Sequence, residues 1–144
     1  MVPSSPVKLG FVGLGAMGLP MTRHLVDAGH DVTVASRSRG HIDEAVAFGA
    51  REGDGARAVV DASEITILCV PNSPEVIEVV DAAMPALGTG KIVVDTSTID
   101  PAVERAQHER VTATGAGYLE APLSGGTVGA RKGALTASCG FHPR

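Results

Sequence analysis

Residues 7–18 read VKLGFVGLGAMG, an apolar run that leads into three glycines with the spacing Gly13-x-Gly15-x-x-Gly18. A helix-like sequence follows, which gives the order strand, glycine turn and helix that opens a dinucleotide-binding βαβ unit. In such a turn Gly13 permits the tight bend, Gly15 lets the backbone approach a pyrophosphate, and Gly18 lets the helix pack against the strand. The phosphates are expected at the helix N-terminus, where unpaired N–H groups favour an anion. Because the chain has 18 glycines, an ordinary glycine-rich turn is the alternative.

The composition predicts one domain and excludes several classes of partner. A chain of 144 residues with 44% hydrophobic residues can form a sizeable core. A net charge of −4 and the lack of a basic run argue against nucleic acid and against an anionic membrane. The apolar segments are strand-sized and the N-terminus has no signal-peptide pattern, so we expect a cytoplasmic protein. Cys69 and Cys139 are predicted to be reduced, buried thiols, and five scattered histidines predict no metal site.

Strand and helix patterns alternate along the rest of the chain. Helices are predicted from the glycine turn to a left-handed cap at Gly29, over 42–48 and 54–62, from a cap at Asn72 or Ser73 through residue 80, and over 101–111. Strands are predicted over 31–35, 65–70 and 91–95, and residues 117–120 lead into the segment 121–126. The segment 65–70 is apolar on both faces, which is typical of a parallel sheet covered by helices. The pattern therefore predicts a Rossmann-like, doubly wound α/β fold with helices on both faces of a mostly parallel sheet.

The end of the second predicted strand bears on the choice of cofactor. An NAD site has an acidic residue about 20 residues beyond the glycines, where it binds the ribose 2′-hydroxyl. Here residues 36–39 read SRSR and the next acid is Asp43. Arg37 can offer a planar fork to a 2′-phosphate, and Ser36 and Ser38 can donate hydroxyls to it. The sequence favours NADP and leaves NAD possible; a solvated polar turn is the alternative.

Five segments, in order along the chain, resemble the β-hydroxyacid dehydrogenases, a family that includes 3-hydroxyisobutyrate dehydrogenase and tartronate semialdehyde reductase. The segments are GFVGLGAMGLPM at 10–21, GHDV at 29–32, VPNSP at 70–74, DTSTIDP at 95–101 and APLSGG at 121–126. The resemblance extends from about Lys8 to Thr136. It implies hydride transfer between C4 of a nicotinamide and the β-carbon of a small 3-hydroxy acid or its semialdehyde.

The resemblance also implies which residues form the site. It places Gly13, Leu14, Gly15, Ala16, Met17 and Gly18 at the pyrophosphate, Ser36, Arg37 and Ser38 at the adenosine ribose, Val70, Pro71 and Asn72 beside the cofactor, and Thr98 near the nicotinamide ribose. The substrate carboxylate is expected at Ser124, Gly125 and Gly126. That loop is chemically suitable in its own right, because a serine hydroxyl beside two glycine N–H groups forms a compact anion nest. A flexible turn is the alternative, which the residues alone leave open.

The C-terminal part departs from the family pattern. Family members carry a catalytic lysine on a helix beyond the Ser-Gly-Gly loop, followed by an all-helical second domain, so no residue here is predicted to be catalytic. Lys132 lies too close to the loop, and Arg131-Lys132 is predicted to be a solvated turn before a strand over 134–137. Residues 138–144 are unlike the family, which suggests a truncated product or a shifted reading frame. The expected organisation is a disordered leader over 1–6, an NADP-binding domain over 7–137 and an atypical tail over 138–144.

Two classes of function remain open. In the first class the chain is the cofactor domain of an NADP-dependent dehydrogenase. In the second it is not catalytic, and is either a dinucleotide-binding module or a truncated, inactive gene product. Imine reductases are a related third possibility, but they are not expected to keep the Ser-Gly-Gly loop. A cofactor domain alone is expected to expose an apolar face and an unpaired sheet edge near 134–139, which predicts a homo-oligomer.

Overall fold

A computed structural model describes residues 5–139 as a six-stranded parallel sheet with a small antiparallel pair beside it. The strands of the main sheet are β1 (Lys8–Val12), β2 (Asp31–Ala35), β3 (Arg51–Glu52), β4 (Ile65–Leu68), β5 (Ile92–Asp95) and β6 (Gly117–Glu120). Their order is β3-β2-β1-β4-β5-β6, and every pairing is parallel. The order reverses between β1 and β4, so the predicted doubly wound, Rossmann-like fold is confirmed.

Six helices connect the strands. They are α1 (Gly18–Asp27), α2 (Arg39–Ala47), α3 (Gly55–Asp61), α4 (Ser73–Ala83), α5 (Pro101–Thr112) and α6 (Gly126–Lys132), with a 3₁₀ turn over Met84–Ala86. The predicted left-handed cap of α1 is confirmed, because Gly29 has a φ of 94° and its N–H donates to the Val26 carbonyl. α2 begins earlier than the predicted Ile42, since the Ser38 hydroxyl accepts the His41 N–H and caps the helix at 38.

Two predicted details are confirmed only in part. Asn72 is the N-cap of α4 but makes no side-chain cap hydrogen bond; the Ser73 hydroxyl instead accepts the Asp100 N–H at 3.2 Å. Of the two cysteines, Cys69 is half-buried, whereas Cys139 is exposed.

The sheet separates two apolar cores. The core under α1 and α2 contains Leu9, Phe11, Leu14, Val32, Val34, Ile42, Ala45 and Ala50. The core on the other face, under α3, α4 and α5, contains Val12, Ala35, Val59, Leu68, Val76, Val80, Val93, Val111 and Tyr118. β4 contributes Leu68 to one core and Ile65 and Ile67 to the other, as expected for a strand covered on both faces.

A lysine that precedes β5 closes the end of α3. The Lys91 Nζ donates to the carbonyls of Val60, Asp61 and Ser63 at 2.8 to 3.0 Å. A cation at a helix C-terminus satisfies carbonyls that have no partner within the helix and opposes the helix dipole. A side chain just before β5 therefore stabilises a helix that ends 30 residues earlier in the chain.

The C-terminal part forms a small unit of its own. β7 (Leu123–Ser124) pairs antiparallel with β8 (Thr136–Ala137), and α6 lies between them. Arg131 and Lys132 are exposed as predicted, but the predicted turn is wrong, because both residues belong to the last turn of α6. The strand predicted over 134–137 is shorter, and its pairing with β7 means that the segment is not the wholly unpaired edge that the sequence predicts.

The predicted leader and tail lie mostly outside the described residues, which begin at Ser5 and end at Cys139. Between those two residues no helix is both long enough and apolar enough to cross a membrane. The same stretch has no group of three or more histidine, cysteine, aspartate or glutamate residues that could hold a metal ion.

Candidate functional site: a crevice at the carboxyl edge of the sheet

The predicted cofactor segments meet at one edge of the sheet. The loops over 13–17, 36–38 and 69–72 follow β1, β2 and β4, which are adjacent strands, and the loop over 96–100 follows β5. In parallel sheets the carboxyl ends of the strands share an edge, and a crevice opens where the strand order reverses. That reversal lies between β1 and β4. The structure therefore brings the predicted cofactor residues to the position where doubly wound folds bind ligands.

The three glycines of the first loop have different surroundings. At Gly13, where φ is 103°, an added Cβ would lie 2.1 Å from the Cys69 carbonyl oxygen, and at Gly18 it would lie 1.9 Å from the Gly13 carbonyl oxygen. Both positions exclude a side chain because the protein itself fills the space. At Gly15 an added Cβ would meet nothing within 4 Å. Gly15 is exposed, so its backbone is open to a ligand approaching from solvent.

The remaining residues of that loop differ in what they can offer. Leu14 is 1% exposed and packs in the core, so only its backbone can face a ligand. Ala16 is exposed and Met17 is half-buried. α1 begins immediately afterwards at Gly18, with no acidic residue in its first turn. The N-terminus of α1 is therefore free of negative side chains that would repel a phosphate.

The loop after β2 has one arginine that can be released. Arg37 Nη2 donates to Glu78 Oε2 at 2.5 Å, and both side chains are more than 60% exposed. Such a surface ion pair is worth about 0 to 1 kcal/mol, so an incoming phosphate can replace Glu78. The Ser36 hydroxyl accepts the Ser38 N–H at 3.3 Å, and the Ser38 hydroxyl caps α2. Both serine oxygens therefore also have a role in holding the turn.

The neighbouring Arg39 is already bound to two acidic side chains. Arg39 donates through two nitrogens to the Glu52 carboxylate, at 2.7 and 2.8 Å, and through Nε to Asp43 at 3.0 Å. These hydrogen bonds, to Glu52 above all, raise the pKa of Arg39, and the same contact lowers the pKa of Glu52. Arg37, rather than Arg39, is the guanidinium available to a ligand at this strand end.

Hydrogen bonds join the loops after β4 and β5. The Ser97 hydroxyl accepts the Val70 N–H at 3.0 Å, and the Thr96 hydroxyl donates to the Leu68 carbonyl at 2.6 Å. Pro71, Asn72 and Thr98 are exposed beside these contacts. The two loops consequently form one connected wall, and the predicted cofactor residues on it face solvent.

Behind this wall lies a group that the sequence reasoning missed, formed by Asp95, Glu104 and Tyr118. Their exposures are 0%, 1% and 9%. Burial above all raises the pKa of each of the two carboxyl groups, and that of Glu104 to about 8. Burial likewise raises the pKa of Tyr118. The only sequence signal was an acidic residue ending the apolar strand over 92–95.

The predicted carboxylate loop lies apart from the main sheet. Ser124 ends β7, Gly125 is the N-cap of α6 and Gly126 is its first residue, and the two glycines have φ values of 127° and 58°. All three residues are exposed. α6 is tied to α1, because His24 Nε2 lies 2.8 Å from the Arg131 carbonyl oxygen. The loop is thus fixed relative to α1, the helix that the glycine turn opens.

A cavity of about 300 Å³ lies on the other side of the glycine turn, between α1, α2 and α6. Gly15, Ala16, Arg23, His41 and Arg131 are among the residues that line it. It shares the exposed part of the glycine turn with the crevice but contains no residue from the loops after β4 and β5. The sequence did not predict this cavity.

Comparison with known proteins agrees with this architecture. Residues 8–143 match the family described as the NAD binding domain of 6-phosphogluconate dehydrogenase. The chain is 41% identical over 137 residues to 2-hydroxy-3-oxopropionate reductase of Escherichia coli K12, covering 93% of this chain and 47% of that protein.

Solved structures give the same picture. Mycobacterium tuberculosis 3-hydroxyisobutyrate dehydrogenase with L-serine superposes with a TM-score of 0.91 at 29% identity, over 96% of this chain and 47% of that one. Psf3 in complex with NADP+ and 2-OPP superposes with a TM-score of 0.85 at 35% identity, over 90% and 47% of the two chains. The chain therefore spans about half the length of the relatives it matches.

The fold and the crevice define a nicotinamide-dinucleotide-binding domain of the Rossmann type. The chain belongs to the family of NAD binding domains of the 6-phosphogluconate dehydrogenase type, and its relatives are β-hydroxyacid dehydrogenases, which confirms the resemblance found in the sequence.

Proposed function

We propose that this chain is the NADP(H)-binding domain of an oxidoreductase that transfers a hydride between a nicotinamide and a small 3-hydroxy acid or its semialdehyde. The observation that carries the proposal is the contrast at the glycine turn. The protein's own atoms fill the space that a side chain would occupy at Gly13 and Gly18, whereas that space is open at Gly15. A turn kept bare at one solvent-facing position, at the start of a helix, fits a pyrophosphate.

The cofactor would extend along the edge of the sheet in both directions from that turn. Arg37 would leave Glu78 and bind the 2′-phosphate, with Ser36 and Ser38 beside it. Val70, Pro71 and Asn72 would border the cofactor, and Thr98 would lie toward the nicotinamide ribose. When bound, the nicotinamide supplies or accepts the hydride; the protein's residues hold it in place and exclude water.

Ser124, Gly125 and Gly126 would bind the carboxylate of the substrate. Two consecutive glycines with positive φ leave their N–H groups unobstructed by side chains, and the Ser124 hydroxyl is exposed beside them. We assign Ser124 to binding rather than to proton transfer. Lys132, in the last turn of α6, is not assigned a catalytic role.

Calorimetric titration with NADPH and NADH tests the cofactor assignment. Gly15→Ala should weaken NADPH binding at least about tenfold, equivalent to about 1.4 kcal/mol, because the new methyl group occupies the space of the pyrophosphate. Gly40→Ala is the matched control, since Gly40 in α2 is also exposed and open and an alanine there favours the helix. Equal NADPH affinities in the two variants would contradict the proposed pyrophosphate site.

The 2′-phosphate contact is tested separately by Arg37→Ala. A charge-assisted hydrogen bond is worth about 1.5 to 3 kcal/mol, so the variant should lose at least about tenfold of any preference for NADPH over NADH. Arg105→Ala, an exposed change on α5, should keep the wild-type preference. If the wild type bound both cofactors equally, the preference for NADP would be wrong while the dinucleotide site could stand.

A further inference from the structure

Three buried polar side chains lie directly behind the proposed cofactor wall and have no part in the proposed chemistry. Asp95 ends β5, Glu104 is in the first turn of α5, and Tyr118 is on β6. The Tyr118 hydroxyl donates to Glu104 Oε1 and lies 3.4 Å from Asp95 Oδ2. A single hydroxyl therefore stands between two carboxyl groups in the core.

The two carboxyl groups and the hydroxyl together need one more proton than the hydroxyl supplies. A tyrosine hydroxyl supplies one hydrogen, and an ionised carboxylate can only accept. Two ionised carboxylates around that hydroxyl would leave like charges close together in a buried site. A proton held between Asp95 and Glu104 supplies the missing hydrogen and removes one charge.

Other titratable groups face the cluster from the elements packed against it. They are His108 on α5, Glu120 on β6 and Cys69, which directly follows β4, whereas Arg110 on α5 is engaged elsewhere. Arg110 is bound to Gln107 at 2.8 Å and to Asp81 at 2.6 Å. The His108 ring meets Tyr118 edge-on, with 5.8 Å between the centroids. Glu120 adds a further negative charge that acts on Glu104.

Asp95 connects the cluster to both loops of the wall. Asp95 Oδ1 accepts the Ser97 N–H at 2.9 Å, and the Ser97 hydroxyl accepts the Val70 N–H at 3.0 Å. The position of Asp95 thus fixes Ser97, and Ser97 fixes the start of the loop after β4. Val70 and Thr98, on either side of this chain of contacts, are both residues proposed to border the cofactor.

We propose that Asp95, Glu104 and Tyr118 form a proton-sharing cluster that positions the loops after β4 and β5, so that loss of the shared proton in alkaline solution weakens cofactor binding. This inference rests on the proposed function. Burial raises the pKa of Glu104 to about 8, which places the loss of the proton just above neutrality. Once both groups are charged, their repulsion displaces Asp95 and releases the Ser97 N–H.

The experiment measures the dissociation constants of NADPH and NADH by nicotinamide fluorescence from pH 7 to pH 9.5. In the wild type the affinity for both cofactors should fall by at least about threefold, or about 0.65 kcal/mol, with its midpoint near pH 8. Glu104→Gln should bind as the wild type does at pH 7 and show no decline, because the amide supplies the missing hydrogen permanently. Asp95→Asn, which supplies it from the other side, should behave in the same way. Glu109→Gln, an exposed change on the same helix, should keep the wild-type profile.

A second measurement needs no cofactor. The Ser97 and Val70 amide resonances of the wild type should shift with pH around a midpoint near 8, and should not do so in Glu104→Gln. A flat wild-type affinity profile, or an equal decline in wild type and Glu104→Gln, would overturn the inference while the proposed function stands. Absence of NADPH binding at pH 7 would instead overturn the proposed function, and this inference with it.

Discussion

The glycine turn over 13–18 and the Ser-Gly-Gly turn over 124–126 both have glycines exposed to solvent, but the molecule holds the two turns differently. The first turn lies between buried strands, and two of its glycines are in direct contact with backbone atoms of the core. The second belongs to a two-stranded pair and a seven-residue helix, and its residues are exposed. The core fixes the conformation of the first turn before any ligand binds. The second turn offers hydrogen-bond donors to a ligand but does not enclose it.

The largest expected consequence of this difference is in catalysis. The chain should bind NADPH and yet turn over 3-hydroxy acids at or near the detection limit, because a positioned acid-base group supplies about 10² to 10⁴-fold of rate and none is assigned at the second turn. The measurement is the absorbance of reduced nicotinamide with a panel of semialdehydes. If the chain turned over a semialdehyde robustly and Gly15→Ala abolished the activity, a proton donor would be present at the Ser-Gly-Gly turn. The proposed difference between the two turns would then be wrong.

The second largest expected effect is on stability, which substitutions in the two turns should lower to different extents. Gly18→Ala places a Cβ 1.9 Å from the Gly13 carbonyl oxygen and should lower the free energy of unfolding by about 3 kcal/mol or more. Gly126→Ala meets no atom within 4 Å and has only the strain of a φ of 58°, so it should cost about 1 kcal/mol. Urea denaturation of both variants gives the comparison. Similar losses in the two would show that the second turn is as tightly packed as the first.

The cluster of Asp95, Glu104 and Tyr118, behind the loops after β4 and β5, should also make stability depend on pH. The folded protein keeps a proton on Glu104 up to about pH 8, whereas the unfolded chain loses it near 4.5. The folded state therefore binds more protons between these values, and its stability falls as pH rises, by at most about 1.4 kcal/mol per pH unit. Thermal unfolding at pH 5.5 and 8 should show this fall in the wild type relative to Glu104→Gln. If stability fell equally with pH in the wild type and in Glu104→Gln, Glu104 would not be the cause of the pH dependence.

The smallest expected effect concerns the ion pair that occupies Arg37. Glu78→Gln removes an exposed partner of Arg37 and a negative charge near the proposed phosphate, so NADPH binding should strengthen about two- to fivefold, within about 1 kcal/mol. NADH binding should be unchanged, since that cofactor lacks the phosphate. Titration of both cofactors tests this, and a gain that is equal for NADH would place Glu78 elsewhere along the cofactor.

The sequence predicted the parts of this molecule that depend on local spacing. The turn at Gly13 to Gly18 and the strand over 65–70, apolar on both faces, are each visible in a short window, and together they indicate the fold. α6 escaped prediction because seven residues with two glycines have no apolar period, and the two-residue strand β3 is too short to show one. The grouping of Asp95, Glu104 and Tyr118 depends on three different elements and on burial, which no spacing along the chain reveals. Assembly into a homo-oligomer stays a prediction.

The contact of Lys91 with the end of α3 has a consequence for the time course of synthesis. α3 has seven residues, too few for a helix that is stable by itself in water. The carbonyls of Val60, Asp61 and Ser63 at its end accept from Lys91, which the ribosome adds 28 to 31 positions later. A nascent chain that has not yet exposed Lys91 has only the local backbone caps at that end of α3, and the helix gains its charged cap when the segment before β5 is in place.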